Sequence, residues 1–196
     1  MTSYQTVSFS EDDYVSPPEL VATTTAFFGG EIDLDPASSD SANSTVGATR
    51  FFSWKENGLI QDWKVRNIYL FPPKLTLSGK DQPRSTDLFT KNFKYQKSAQ
   101  RVWLELAYKK WVRKEFEQAI IFLTSSEVAL LVTQKINFDF PLCILSQRPK
   151  LLREKDLKPV RSKVFGFVYL LPSVDNYNES VRSFHSFYSS LGRVYV

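Results

Sequence analysis

Ala119-Ile120-Ile121-Phe122-Leu123 is an almost unbroken apolar run, and it follows directly on a long amphipathic stretch, 96–118. A strand that is apolar at every position has both faces covered, which is the situation of a parallel strand packed between layers of helices. The preceding stretch predicts a helix, with Trp103, Leu106, Trp111 and Val112 among its apolar positions. A helix running straight into a doubly covered strand is the repeating unit of an α/β sheet.

The same alternation continues upstream. Asn67-Ile68-Tyr69-Leu70-Phe71 reads as a second buried strand, halted by Pro72-Pro73. Before it, 37–63 is rich in Ser, Asn and Thr and reads as a long, partly irregular connection anchored by Phe51, Phe52, Trp54, Leu59 and Trp63. Glu31-Ile32-Asp33-Leu34-Asp35 is a short strand stopped by Pro36. Ahead of it lies a sharp helix start: Ser16 can cap, Pro17 takes the first helical position and Glu19 completes a capping box. Leu20, Val21, Thr24 and Phe28 recur at helical spacing, and Gly29-Gly30 ends the helix.

Downstream, 75–94 holds Gly, Pro and many charges and reads as a mobile surface excursion. Residues 127–134 are predicted helical, 142–145 and 164–171 extended, 177–191 an amphipathic helix, and 193–196 a last strand. The expected architecture is a single domain over 13–196, with 1–12 a poorly ordered N-terminal stretch. Its fold class is α/β, a Rossmann-like sheet that is mostly parallel with helices on both faces.

Composition narrows the function. Hydrophobic residues make up 42% and charged residues 23%, an ordinary globular balance with no run long enough to span a membrane. The first residues, Met1 to Asp13, lack the basic start and apolar core of a secretory signal. A single cysteine, Cys143, excludes an internal disulfide framework and fits a reducing, cytoplasmic setting. Its apolar neighbours make it a core filler. The one histidine, His185, has no cysteine cluster beside it, so neither a zinc site nor a Ser/His/Asp triad is expected, and no metal.

The net charge of +4 hides a marked asymmetry. Residues 1–62 carry ten acidic groups against two basic, whereas 74–114 carry eleven basic against three acidic. A second basic stretch, 148–163, has seven basic against two acidic. Such clustering is the footprint of a polyanionic partner. The alternative is that these charges solvate surfaces, or face the acidic third within the fold.

Three motifs occur in a definite order: Asp13-Tyr14-Val15-Ser16-Pro17-Pro18-Glu19-Leu20, then Asp33-Leu34-Asp35-Pro36-Ala37, then Phe71-Pro72-Pro73-Lys74. Between the last two lies Gly58-Leu59 with Asp62-Trp63. In this order they resemble the phage and prophage family of DNA N6-adenine methyltransferases, whose members read D-x-W-x-T-P-x-x-L, D-L-D-P-A-A, G-L-x-x-D-W and N-P-P-Y or D-P-P-Y. The C-terminal Phe165-Gly166-Phe167-Val168-Tyr169 and Leu191-Gly192-Arg193-Val194 are similar to the family's last strand and helix, so the resemblance spans most of 12–196.

The resemblance implies a pocket for S-adenosylmethionine lined by Pro17, Asp35, Pro36 and Ala37, with Asp35 the charged group toward the methionine ammonium. Ser38-Ser39 stands where many methyltransferases place glycine, so binding of this cofactor is expected to be weak or absent. In active members the leading Asn or Asp and a proline carbonyl accept the two hydrogens of the adenine amine, and the closing aromatic stacks on the flipped base. Here Phe71 offers no acceptor and Lys74 no aromatic face, although the carbonyl of Pro72 survives between them and Pro73. The expectation is a DNA-associated member of the family that has lost catalysis. The alternatives are an active enzyme with a non-standard motif and a non-enzymatic module that binds another protein. On the DNA side the candidates are Lys80, Arg84, Lys91 and Lys94 of the excursion and Arg101, Lys109, Lys110, Arg113 and Lys114 of the long helix. On that helix Lys109 and Arg113 share a face, as do Lys110 and Lys114.

Overall fold

The computed structural model describes residues 14–73, 76–77, 97–130, 140–160 and 163–196, with backbone alone at 76–77 and 97. The expected N-terminal stretch 1–12, together with Lys74, Lys80, Arg84, Lys91 and Lys94, lies outside the described residues.

The chain opens with β1 (Tyr14–Val15) and α1 (Pro18–Phe27), then β2 (Leu34–Asp35), α2 (Asp40–Val46) and β3 (Arg50–Phe51). A 3-10 turn at Gly58–Ile60 leads to β4 (Val65–Leu70). The ribbon β5 (Thr76–Leu77) and β6 (Lys97–Ser98) precedes α3 (Ala99–Val112) and β7 (Phe116–Leu123). Residues 126–130 form α4 as far as it is described. β8 (Leu142–Leu145), β9 (Leu152–Arg153), β10 (Phe167–Leu171), α5 (Tyr177–Tyr188) and β11 (Gly192–Tyr195) complete it.

Seven strands form one sheet in the order β11-β8-β10-β7-β4-β2-β3. The β3, β2, β4 and β7 half is parallel, as Leu34↔Ile68 and Ile68↔Ala119 show. The β10, β8 and β11 half pairs antiparallel throughout. The expected mostly parallel sheet is thus a mixed one, in which β2, β3, β4, β7 and β8 share one direction and β10 and β11 oppose them. The cause is local to the C-terminal third: β10 returns from the basic stretch against the direction of β7 and is inserted between β7 and β8.

Side-chain alternation along the central strands divides the core in two. Ile68 and Leu70 of β4, with Ala119, Ile121 and Leu123 of β7, face Val102, Trp103 and Leu106 of α3 and Val128 of α4. Tyr69, Ile120 and Phe122 point the other way, to Leu20 and Val21 of α1, Val46 of α2 and Phe184 and Tyr188 of α5. Helices thus cover both faces of the sheet. On the second face the Tyr188 hydroxyl lies 2.8 Å from Thr24 Oγ1, joining α5 to α1.

Several boundaries differ from expectation for identifiable reasons. Pro17, not Ser16, is the N-cap of α1, and no side chain caps this helix, so the capping box is not formed. Ser16 is occupied elsewhere, because its Oγ accepts a hydrogen bond from Tyr69. The strand expected over 31–35 is reduced to Leu34–Asp35. The connection read as irregular contains α2, capped by Ser39 accepting from the Ala42 amide and closed by Gly47 at φ 66°. The helix expected over 96–118 stops at Val112, where Lys114 turns the chain at φ 56°. Phe116-Glu117-Gln118 then belongs to β7, in register with Val65 and Asn67 of β4. Pairing to β4 overrides the local helical pattern there.

No helix among the described residues is long and apolar enough to cross a membrane. Among the same residues no cluster of His, Cys, Asp and Glu is placed to hold a metal ion.

Candidate functional site

Strand order reverses between β2 and β4. From β2 the chain moves outward to β3, then returns to lie on the opposite side of β2 as β4, and continues away to β7. In open α/β sheets such a reversal opens a crevice beyond the carboxyl ends of the strands, where ligands bind. The two motifs flanking that point are Asp35-Pro36-Ala37 after β2 and Phe71-Pro72-Pro73 after β4.

Asp33 holds the two strands together. Its Oδ2 accepts from the amides of Asn67, at 2.7 Å, and Arg66, at 3.0 Å, so the first acid of the motif is a clamp between β2 and β4. Asp35 is different. It is only 2% exposed, and its Oδ1 accepts from the Ala37 amide at 3.1 Å within its own turn. Burial pushes its carboxyl up to about 7, because desolvation disfavours the charged form more than the Ala37 amide and the nearby Ser38 hydroxyl favour it. The Ser38 hydroxyl is buried and makes no full hydrogen bond among the described residues. Behind Asp35 stands Tyr69, whose phenol donates to Ser16 Oγ at 2.6 Å; burial holds that phenol well above its ordinary range.

The Gly58-Leu59 and Asp62-Trp63 motif closes the same edge. A Cβ on Gly58 would stand 1.9 Å from the Pro36 carbonyl oxygen, so only glycine allows this turn to lie against the end of β2. The Gly58 carbonyl accepts from the Trp63 indole at 2.9 Å, and that indole stacks on Trp103 of α3 at 6.0 Å. The motif is a packed cover over Pro36, with Asp62 left at the surface beside Lys64.

Phe71 departs most clearly from the chemistry of an amine-activating strand end. Its ring is 9% exposed and sits 4.8 Å from the ring of Phe122, in the core shared with α1 and α5. It is a packing residue, with no polar atom to offer beyond its backbone. Pro72 and Pro73 are buried beside it.

The cofactor-side residues do not surround one cavity. Pro36, Ala37 and Pro73 meet Gly58 and Trp103 around a space of about 20 Å³. Pro17 lines a different cavity of about 390 Å³, toward Leu145 and Arg148. Asp35 lines neither. A cofactor of the size of S-adenosylmethionine needs a few hundred Å³ of concave space. The cavity that the described residues leave beside Pro36 and Pro73 falls short of that size.

The described basic residues of α3 divide between the helix's two ends. α3 leaves from the carboxyl edge of β4 and delivers the chain to the amino end of β7, where Phe116 pairs with Val65. Lys109, Arg113 and Lys114 therefore lie at the far end of the sheet from Phe71, roughly 20 Å away along a six-residue strand. Lys110 is buried: its Nζ donates to Glu115 at 2.6 Å and to the Gln61 carbonyl at 3.0 Å, over the Trp63 ring. Arg101 is turned onto Glu105, one helical turn on, at 2.7 Å. These placements leave Lys110 and Arg101 little surface to offer a partner. Arg113 and Lys114 remain exposed.

Sequence reasoning passed over the 148–163 stretch as a site. β8 runs parallel to β7, so its end at Leu145 delivers this stretch to the same edge as Asp35 and Phe71. Its charge was visible; its position depended on the sense of β10.

No protein-family model, no curated protein and no solved structure matches this chain.

Proposed function

We propose that this chain is a DNA-associated protein built on a Rossmann-like, adenine-N6-methyltransferase-like scaffold whose catalytic strand end has degenerated. The reading is supported by the order of the motifs and by a sheet whose reversal point lies between the two strands that carry them. The observation that carries the loss of catalysis is the Phe71 ring, packed on Phe122 where an amine-accepting side chain would be required.

Adenine's exocyclic nitrogen is a poor nucleophile because its lone pair is delocalised into the ring. Drawing density onto it takes an acceptor aimed at its hydrogens. Removing one such preorganised polar contact costs about 10²–10³ in rate. Here Phe71 is apolar and held inward, and the cavity that the described residues leave beside Pro73 is only about 20 Å³. The fold is reused while the chemistry is lost, as happens when function resides in a site rather than in a scaffold.

Two measurements on the full chain test this. Tritium transfer from labelled S-adenosylmethionine to mixed-sequence duplex DNA should not exceed that of a Phe71→Ala control; transfer above the control overturns the degenerate reading. Duplex DNA should be retained in a mobility-shift assay at low salt. No retention removes DNA and leaves a protein partner as the better account.

A further inference from the structure

We infer that the nucleic-acid backbone is met by the basic strap 148–163 at the carboxyl edge of the sheet, and not by the basic end of α3. The inference rests on the DNA-binding reading above and assigns the surface that performs it.

Over its described residues 148–160 the strap is a fixed element. Leu151 is fully buried, β9 pairs with β1 through Tyr14↔Arg153 and Val15↔Leu152, and the Ser41 hydroxyl of α2 donates to the Glu154 carbonyl at 2.7 Å. The chain then doubles back: the Leu157 amide donates to the Arg153 carbonyl, the Arg153 amide to that of Lys158, and the Val160 amide to that of Leu151. Leu157 turns the hairpin at φ 52°. Cations mounted on such a frame lose less freedom on binding than cations on a loose tail.

Most of the described basic side chains of the strap are also uncommitted. Within the strap Asp156 takes Arg153 at 3.5 Å and Lys158 at 4.0 Å. Among the described residues Arg148, Lys150, Lys155 and Lys163 make no ion pair, and all four are exposed. No ion pair of the described residues joins the strap to the acidic N-terminal third. Arg148 and Lys150 flank the cavity of about 390 Å³, whose other walls include Pro17, Leu20, Leu145 and Leu191. Glu19 stands on the same cavity and is the one acidic side chain that opposes an anion there.

Position decides between the two basic surfaces. The strap leaves Leu145 at the edge that carries Asp35 and Phe71, and the Ser16–Tyr69 bond ties the cavity wall at Pro17 to β4. Arg113 and Lys114 lie at the opposite edge, and Lys110 is neutralised by Glu115. A duplex lying along the strap would cross the end of the sheet where the motifs converge.

The test is duplex DNA affinity across a salt series from about 50 to about 200 mM, for the wild type and two variants. One carries Arg148→Gln, Lys150→Gln and Lys155→Gln; the other carries Arg113→Gln and Lys114→Gln. Each phosphate contact removed lowers the slope of log affinity against log salt by about 1. The strap variant should bind at least about tenfold more weakly, with a slope shallower by about 2 to 3, and the α3 variant should match the wild type. Protection of Lys150, Lys155 and Lys163 from acetylation when DNA is added to the wild type checks the same surface without substitution. A wild type that binds, a strap variant with unchanged slope and strap lysines left unprotected overturn the inference while leaving DNA binding intact. A wild type that does not bind at low salt overturns the reading on which it rests.

Discussion

The Tyr69 hydroxyl donates to Ser16 Oγ at 2.6 Å, and through this bond the segment leading into α1 is fastened to the strand that ends at Phe71. Both groups are buried, so each is the other's substitute for water. The bond also explains why Ser16 does not cap α1, although it stands one residue ahead of a proline at a helix start.

Tyr69→Phe should cost about 1 to 3 kcal/mol, because the Ser16 hydroxyl is left buried without its donor. Combining it with Ser16→Ala should cost less than the two single changes added together, since both remove one interaction. Urea unfolding of the three variants measures this. Strict additivity would show that the bond does not couple the two segments.

Phe71→Ala should destabilise by about 3 to 5 kcal/mol, the usual cost of emptying a large aromatic site in a core. Phe71→Asn should be no milder, for it sets an amide against the Phe122 ring in an apolar cluster. Restoring the amide therefore should not restore methyl transfer. A Phe71→Asn protein as stable as wild type would mean that the ring contributes little to packing.

Asp35 gives a pH dependence of definite sign. Its carboxyl titrates near 3.8 in an ordinary setting and about 7 in the fold, so between those values the folded state holds a proton that the unfolded chain has released. Stability from this group is complete below about pH 4 and declines as the pH rises toward 7, by up to about 4 kcal/mol. Asp35→Asn keeps an acceptor for the Ala37 amide and cannot ionise. It should gain on wild type steadily from pH 4 to pH 7.5, in parallel chemical denaturation series. A difference that is constant across the range would place the Asp35 carboxyl near its ordinary value.

Lys110→Met removes the ammonium from Glu115 and the Gln61 carbonyl and leaves both short of a donor. A loss of about 1 to 3 kcal/mol is expected, with DNA affinity at a fixed salt concentration unchanged. A large fall in affinity with normal stability would put Lys110 on the binding surface after all.

Cys143 should be silent toward thiol reagents in the native protein. Its Sγ is buried on β8 and donates to the Tyr188 carbonyl at 3.6 Å, and burial pushes the thiol up to about 12. The thiolate that reacts is therefore nearly absent at neutral pH. Labelling by a disulfide reagent should follow the unfolding transition in urea. Rapid labelling without denaturant would show that β8 opens locally.

What the sequence by itself determined were the features carried by short-range pattern. The run Ala119–Leu123 read as a doubly covered strand. Gly29-Gly30 had to end a helix, and Phe71 and Lys74 were visibly the wrong residue types for activating an amine. Periodicity and side-chain chemistry are properties of neighbouring residues, so they can be read along the chain. Only the tertiary structure decided the rest, since it depends on which strand lies beside which. Pairing with β4 drew Phe116-Glu117-Gln118 out of a helical pattern. Insertion of β10 against the sense of β7 made half of the sheet antiparallel and brought 148–163 to the edge of Asp35. Burial, which no local pattern reports, sealed Lys110 under Trp63 and raised the Asp35 carboxyl. The basic C-terminal end of α3 and the basic stretch 148–160 came to lie at opposite edges because α3, as a crossover helix, carries the chain back to the amino end of β7.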